Sequence, residues 1–389
     1  MKFKAVKFLF IPVLTLCLVE SFFALNDKFF HFQLTETPSR LKGPDGGHVL
    51  SEKAVSEIRR LYEAVGPYSR DIDERVKNSG ERFNIVTKPR VIADFMSYRG
   101  NGESPIEKFT SRLEYEPLGL TIYDTEYGLT PRRIRKTLLS EQSAGLPQII
   151  MLGCSFTFGQ GVGDGATVAS YLQSYRPQNE IINLGIPTAG LNDMLDEFTK
   201  SDRTKGLLKE KGLAIYTYYG FHNERTFCLG SCYEWPKSTY MLKKTDYEIV
   251  NGELKDRGSF EDARGAWNTL LSLIYRTYTG AAFMKAFYNP NSDNYREKFA
   301  LLMKQLELKL AAMGIELLIY VPTGDIYTRN QAVIESFKKE GLKVMYLADN
   351  EWVNKMNSRA TIPGDGHYSP AGNQAQAIYI NDLLSARGY

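Results

Sequence analysis

Ser155 is the first residue whose type and setting point to chemistry. It lies in "GCSFTFG" (153–159), directly after the apolar run "QIIML" and before a glycine-bearing stretch that reads on into a helix. A serine at the exit of a buried strand projects its hydroxyl at the carboxyl edge of a sheet, with nearby backbone N–H groups aimed into the same space. The stretch is not G-x-S-x-G, and a serine there serves equally as a helix cap or turn residue. A nucleophilic serine also needs a base within hydrogen-bond reach. Of the four histidines, His31 adjoins an apolar N-terminal run, His48 lies in a polar glycine-rich segment and His222 follows a strand. His367 stands apart, in "GDGHYSPAGNQAQAIYIN", before a helix whose start is marked by Ser369 as N-cap and Pro370 at the first helical position. Asp365, two residues earlier, is placed to bond imidazole Nδ1, fix its tautomer and leave Nε2 facing a serine. Residues i and i+2 of an extended chain lie about 6.5–7 Å apart at the backbone, so this pairing requires a local turn at Gly366.

Acyl transfer also needs donors for a developing oxyanion. Two segments at strand ends offer them. "NLGIPTAG" (183–190) is rich in glycine, so backbone N–H groups such as those of Gly185 and Gly190 approach a ligand closely, and "YYGFHNERT" brings the side-chain amide of Asn223. Each is an ordinary loop residue when taken alone.

Taken in order, these blocks resemble the SGNH (GDSL-type) hydrolase family, in its exported bacterial form. "GCSFTFGQGV" is similar to the family's serine block, with Cys154 where many members carry Asp. "NLGIPTAG" is similar to the glycine block, "GFHNE" to the asparagine block and "DGHYSPAGN" to the Asp–His block. The resemblance spans roughly residues 120–389 and takes in "YDTEYGLTPRR", which looks like a short lead-in found before the serine block. It implies a serine esterase with Ser155 as nucleophile, His367 as base and Asp365 as its orienting partner. Asn223 and one of Gly185, Thr188 or Gly190 would hold the oxyanion, with no metal and no cofactor. The chain departs from the family twice. Thr188 stands where a glycine is common, and the Asp–His spacing is D-x-H rather than D-x-x-H.

These residues must be positioned by a sheet. "QIIML", "EIINLGI", "LAIYTYYGF", "IELLIYVP" and "LKVMYLAD" read as buried strands. "TVASYLQSY", "LNDMLDEFTK", "DNYREKFALLMKQLELKLAA" and "QAVIESFKKEG" read as the helices between them. In the long one, Phe299, Leu302, Met303, Leu306, Leu310 and Met313 fall on one face and Gly314 ends it. Continuous apolar strands alternating with amphipathic helices predict a parallel sheet covered on both faces. The family resemblance makes it a three-layer, flavodoxin-like α/β fold. An insertion over about residues 225–292 interrupts the alternation, with a hairpin in "YEIVNGELK" centred on Asn251-Gly252. It is expected over the carboxyl ends of the strands, where open α/β sheets place ligands. "SEKAVSEIRRLYEAV" (51–65) reads as an amphipathic helix with Val55, Ile58, Tyr62 and Val65 on one face, and the stretch from "LEYEP" to "GLTPRR" as strand and turn. Residues 26–120 are thus an N-terminal extension and 121–389 the hydrolase-like domain.

Lys2, Lys4 and Lys7 precede the apolar run Phe8 to Val19, the layout of an export signal or a single membrane anchor over residues 1–25. The domain is therefore expected outside the cytoplasmic membrane, in the periplasm, tethered or secreted. Cys228 and Cys232 lie close enough to close a small loop in an oxidising compartment, and a disulfide is expected ahead of a zinc site with His222 or two free thiols. With a net charge of only +3 there is no electrostatic case for nucleic acid. The 24 Tyr, 21 Phe and 3 Trp suit sugar-stacking surfaces as well as core. Arg225 beside Glu224 reads as a surface ion pair before a clamp for an anionic substrate, and Asp164 as the cap of the next helix. The glycines at 159, 161 and 163 match a dinucleotide fingerprint only superficially. The expected substrate is an ester on an acylated small molecule or an envelope polysaccharide. An O-acyltransferase using the same residues and an inactive binding module are the alternatives.

Overall fold

In a computed structural model, the chain is described over residues 47–65, 108–115, 120–138, 145–233, 238–275, 292–322, 331–348, 350–357 and 359–389. The expected export or anchor segment lies outside the described residues, as does His31. Among the described residues, no helix is long and apolar enough to cross a membrane.

The chain enters through α1 (Glu52–Val65) and an antiparallel hairpin of β1 (Lys108–Tyr115) and β2 (Leu120–Gly128). The alternating core follows as β3 (Gln148–Leu152), α2 (Ser155–Phe158), α3 (Val168–Tyr175), β4 (Glu180–Asn183), α4 (Leu191–Thr199), β5 (Leu213–Thr217) and α5 (Phe221–Phe227). After an insertion holding β6 (Thr245–Val250), β7 (Glu253–Ser259), α6 (Phe260–Arg264) and α7 (Ala266–Tyr275), it resumes. The remaining elements are α8 (Asp293–Ala312), β8 (Glu316–Val321), α9 (Gln331–Lys339), β9 (Val344–Tyr346), α10 (Glu351–Asn357) and α11 (Pro370–Ala386).

The sheet has five strands in the order β4-β3-β5-β8-β9, every pair parallel. This is the doubly wound order of flavodoxin-like sheets, whose chain reverses direction beside its first strand and leaves a crevice at the carboxyl ends there. β3 is that strand, and Ser155 follows it. Its residues Ile149, Ile150, Met151 and Leu152 are all buried because helices cover both faces. α1, α3, α10 and α11 pack together, and α8 packs with α4, α5 and α9. Phe299, Leu302, Met303, Leu306 and Leu310 of α8 are buried as their spacing predicts, whereas Met313 lies beyond the last turn and is partly exposed.

In α1, Ile58 is fully buried while Val55, Tyr62 and Val65 pack partly against the same core. The segment is fastened at its start. His48 pairs with the edge of β9 through its N–H to Tyr346 O at 2.9 Å, and its Nε2 lies 2.8 Å from Asp382 Oδ2 on α11. Ser51 N–H also donates to that carboxylate at 3.0 Å. In the β1–β2 hairpin, Phe109 and Tyr127 pack on Phe158, and Leu113 and Tyr123 pack with Val162 and Ile362.

The inserted hairpin forms as its sequence predicts, turning at Asn251 and Gly252 with φ of 53° and 82°. It runs along the outer helices, packing on α4 and α8, with Tyr247 OH donating to Asp196 Oδ1 at 2.8 Å and Lys200 Nζ 2.7 Å from Asp256. Its alternating face (Thr245, Tyr247) finds polar partners along α4, which fixes it there. The expected disulfide is absent: Cys228 and Cys232 are two buried free thiols. Cys228 ends α5 in a left-handed conformation (φ 44°), and both thiols pack with Tyr233, Met241, Phe260 and Leu271 in a small core of the insertion. Burial pushes the Cys232 thiol well up and keeps it protonated.

Candidate active site

The site assembles on the carboxyl side of β3 and β5. Cys154 is the extended residue before α2, and Ser155 opens that helical turn with only 3% of its surface exposed. The Ser155 Oγ lies 2.7 Å from His367 Nε2, across 212 positions of sequence. His367 Nδ1 lies 2.6 Å from Asp365 Oδ2, and the Asp365 side chain is 7% exposed. The turn that D-x-H spacing requires is present. Gly366 has φ 85°, its N–H and that of Asp365 both reach Ile362 O, and Ile362 N–H returns to His367 O at 2.7 Å. Ser369 then caps α11 by accepting the Gly372 N–H, and Pro370 opens the helix.

The other face of the site is the loop after β4. Gly185 packs so closely on α2 that a Cβ there would lie 2.3 Å from Phe158 N. The Asn183 side chain ties the two together, donating to Thr157 O at 2.9 Å and accepting the Gly185 N–H at 3.0 Å. Beyond it, Ile186-Pro187-Thr188-Ala189 closes with Ala189 N–H to Ile186 O at 3.0 Å, and Thr188 has φ 62°. A closed turn with proline second and a left-handed residue third is a type II turn, whose third position favours glycine. Thr188 thus holds a backbone shape that glycine adopts most readily. Gly190 N–H donates to Asp193 Oδ2 at 2.7 Å. The N–H groups of Gly185 and Gly190 are thus both bonded within the protein, which weighs against them as oxyanion donors.

Asn223, in the first turn of α5, is fully buried. The Tyr218 hydroxyl donates to its Oδ1 at 3.2 Å, which orients the amide with Nδ2 as the donor. Burial raises Tyr218 above the usual phenol range, so it keeps the proton it donates. Around His367 stand aromatic rings that sequence reading did not single out. Phe156 lies 4.8 Å from the imidazole between ring centres and stacks on Tyr219 at 4.6 Å. For Phe156, its place next to Ser155 was the one local signal.

Cys154 beside the serine is fully buried, and burial raises its thiol above the usual range, which disfavours the thiolate a nucleophile needs. His222 is also fully buried. Burial first, then Arg225 and Lys244, hold it well below the usual imidazole range, and its Nδ1 meets Tyr216 OH at 2.9 Å. It is a neutral core residue rather than a ligand for the cysteines. Arg225 lies with its guanidinium 4.2 Å over the Phe221 ring, a stacking role in place of the expected surface ion pair. Asp164 does not cap the next helix: Thr167 does, accepting the Ser170 N–H. The Asp164 carboxylate instead pairs with Arg135, whose side chain is fully buried, and accepts the Gly128 N–H at 2.9 Å. Arg135 reaches Val162 O at 2.9 Å and lies over Tyr127 and Phe158, while Tyr127 OH accepts the Gly161 N–H at 2.8 Å. The lead-in segment therefore buttresses the loop that follows Ser155.

No family model matches the chain, and no curated protein matches it. Among solved structures it is similar to a G-D-S-L-family protein described as lipolytic from Desulfitobacterium hafniense DCB-2, 14% identical over 61% of this chain and 99% of that one, with a TM-score of 0.31. It is similar to an acetylxylan esterase from Geobacillus stearothermophilus, 10% identical over 62% of this chain and 96% of that one, with a TM-score of 0.34. A two-domain esterase active on acetylated mannans is 13% identical over 64% of this chain and 51% of that one, with a TM-score of 0.34.

Proposed function

We propose that the protein is an SGNH-type serine esterase, and that Ser155, His367 and Asp365 are its catalytic residues. The observation that carries the reading is the pair of contacts at His367: Nε2 2.7 Å from Ser155 Oγ and Nδ1 2.6 Å from Asp365 Oδ2. His367 Nε2 takes the Ser155 proton as Oγ attacks the acyl carbon, and Asp365 stabilises the imidazolium that forms. The Ser155 N–H, an N–H of the loop after β4 and the Asn223 amide hold the oxyanion. Collapse expels the alcohol, which receives the proton from His367. Water then gives its proton to the same nitrogen, attacks the acyl-enzyme and releases the acid and Ser155.

The export-type N-terminus and the resemblance support O-acyl groups on an envelope polysaccharide as substrate, in the periplasm, with the chain held at the membrane or released. The half-buried rings of Phe156 and Phe221 by the site suit a sugar face. The test is turnover of p-nitrophenyl acetate by protein lacking residues 1–25, with Ser155→Ala as control. Turnover equal in both would overturn Ser155 as nucleophile. Acetate released from an acetylated polysaccharide, against acetyl passed to an added glycan, separates hydrolysis from transfer.

A further inference from the structure

Where the insertion meets α8, the protein holds a cleft none of whose described lining residues belongs to the proposed active site. Its cavity of about 480 Å³ falls within the range of about 300–1,000 Å³ usual for small-molecule sites. It lies at the carboxyl end of α5. Phe227, the last residue of that helix, lines it four positions after Asn223, or about 6 Å of helical rise.

The walls divide into fixed and open groups. Arg264 is fixed: its Nη1 donates to Cys228 O at 3.0 Å and to Tyr233 OH at 2.6 Å, and its Nη2 to Phe227 O at 2.6 Å. These bonds lock the end of α5 to the insertion. Phe227 and Tyr295 of α8 meet with ring centres 5.2 Å apart. Trp267 of α7 lines the same cleft and keeps 51% of its surface exposed. Asp246 of β6 is half-buried and makes no hydrogen bond or ion pair among the described residues. Burial raises its carboxyl above the usual range, against the pull of Arg264 and Arg257. A half-buried carboxylate left in that state is costly, and donors on a ligand relieve the cost.

The chemistry of the walls selects the ligand. The acidic Asp246 and Glu248 are matched by Arg257, Arg264 and Lys298, so the cleft does not favour a strongly charged ligand. The same polar groups disfavour a lipid chain, which leaves them unsatisfied. Trp267, Tyr295 and Phe227 offer flat apolar rings, and carboxylates and guanidinium groups stand beside them as acceptors and donors. A pyranose ring matches both, with a C–H face to stack and hydroxyls that donate and accept. We propose that this cleft is a second carbohydrate site, which takes a stretch of neutral oligosaccharide through Trp267, Tyr295 and Asp246. It stands whether or not Ser155 is a nucleophile.

The test is isothermal titration of the Ser155→Ala protein with cellohexaose, xylohexaose and mannohexaose. At least one is expected to bind. Trp267→Ala and Asp246→Ala, each added separately, should weaken that binding about tenfold or more, the loss expected for a stacked ring or a charged hydrogen bond. Leu308→Ala removes an exposed side chain of α8 that does not line the cleft, and should leave binding unchanged. Trp267 is exposed in the first turn of α7, so its variant keeps the core packed and reports even where Asp246→Ala fails to fold. No binding of any of the three sugars, or binding that Trp267→Ala leaves unchanged, would overturn the site. Every variant carries Ser155→Ala, so the result does not depend on turnover. Absence of Ser155-dependent hydrolysis in the wild type would overturn the esterase reading alone.

Discussion

At the scale of single residues, two contacts made by one imidazole carry the proposed chemistry. Asp365→Asn leaves a side chain of the same shape but turns an acceptor into a donor toward His367 Nδ1. It is expected to lower kcat by about 10²–10⁴-fold, measured as p-nitrophenyl acetate turnover at saturating substrate. A change under threefold would remove Asp365 from the mechanism. Asn223→Ala deletes an amide that Tyr218 orients from behind, and should cost about 10²–10³ in kcat with KM nearly constant. A rise in KM with kcat intact would instead make Asn223 a substrate-binding group. The residue scale also explains why Cys154, adjacent to the serine, is a poor rival: burial holds its thiol protonated.

At the scale of elements, two glycines test two different demands of the site. Gly185 is where the loop after β4 touches α2, and a Cβ there meets backbone atoms of Thr157 and Phe158 that have no room to yield. Gly185→Ala should therefore lower the melting temperature markedly or leave the protein insoluble. Gly366 has open space around its Cα but φ 85°, so alanine there brings only backbone strain, about 1 kcal/mol. Gly366→Ala should fold with a slightly lower melting temperature, yet lose turnover as the turn relaxes and Asp365 leaves His367. Thermal melts and kcat measured on both variants check this. A Gly366→Ala variant that keeps full activity would show that the tight D-x-H turn is not needed.

At the scale of the whole molecule, the start of the described chain is latched to its last helix by Asp382. Burial raises that carboxyl, but the hydrogen bonds from Ser51 and His48 outweigh it and hold Asp382 below its usual range. A depressed carboxyl contributes stability that is fully present above its unfolded value of about 3.9 and is lost as pH falls through the folded value. The melting temperature of the wild type should thus exceed that of Asp382→Asn at neutral pH, and the gap should close below about pH 4. Amide exchange over residues 48–65 should be faster in the variant at neutral pH. A gap that stays constant down to pH 2.5 would mean the latch does not depend on the charge of Asp382. The latch also shows that residues before the hairpin are part of the packed core, as Ile58 is fully buried against it.

The sequence by itself determined the alternating strands and helices, because each buried strand is a continuous apolar run and each helix carries its stripe at helical spacing. It also singled out Ser155, Asp365 and His367, whose blocks are local patterns at strand and helix boundaries. Only the tertiary structure showed that the Gly185 and Gly190 N–H groups are bonded, since their partners are the side chains of Asn183 and Asp193. Only it placed the inserted hairpin along α4 and α8, through Thr245 and Tyr247 meeting Asp196. Lys244, just before β6, donates from Nζ to Thr188 O and Asp193 Oδ2, and these contacts were invisible in sequence for the same reason. Its partners Thr188 and Asp193 lie 56 and 51 residues away, and no local pattern records a contact that the packing of an insertion against a helix creates.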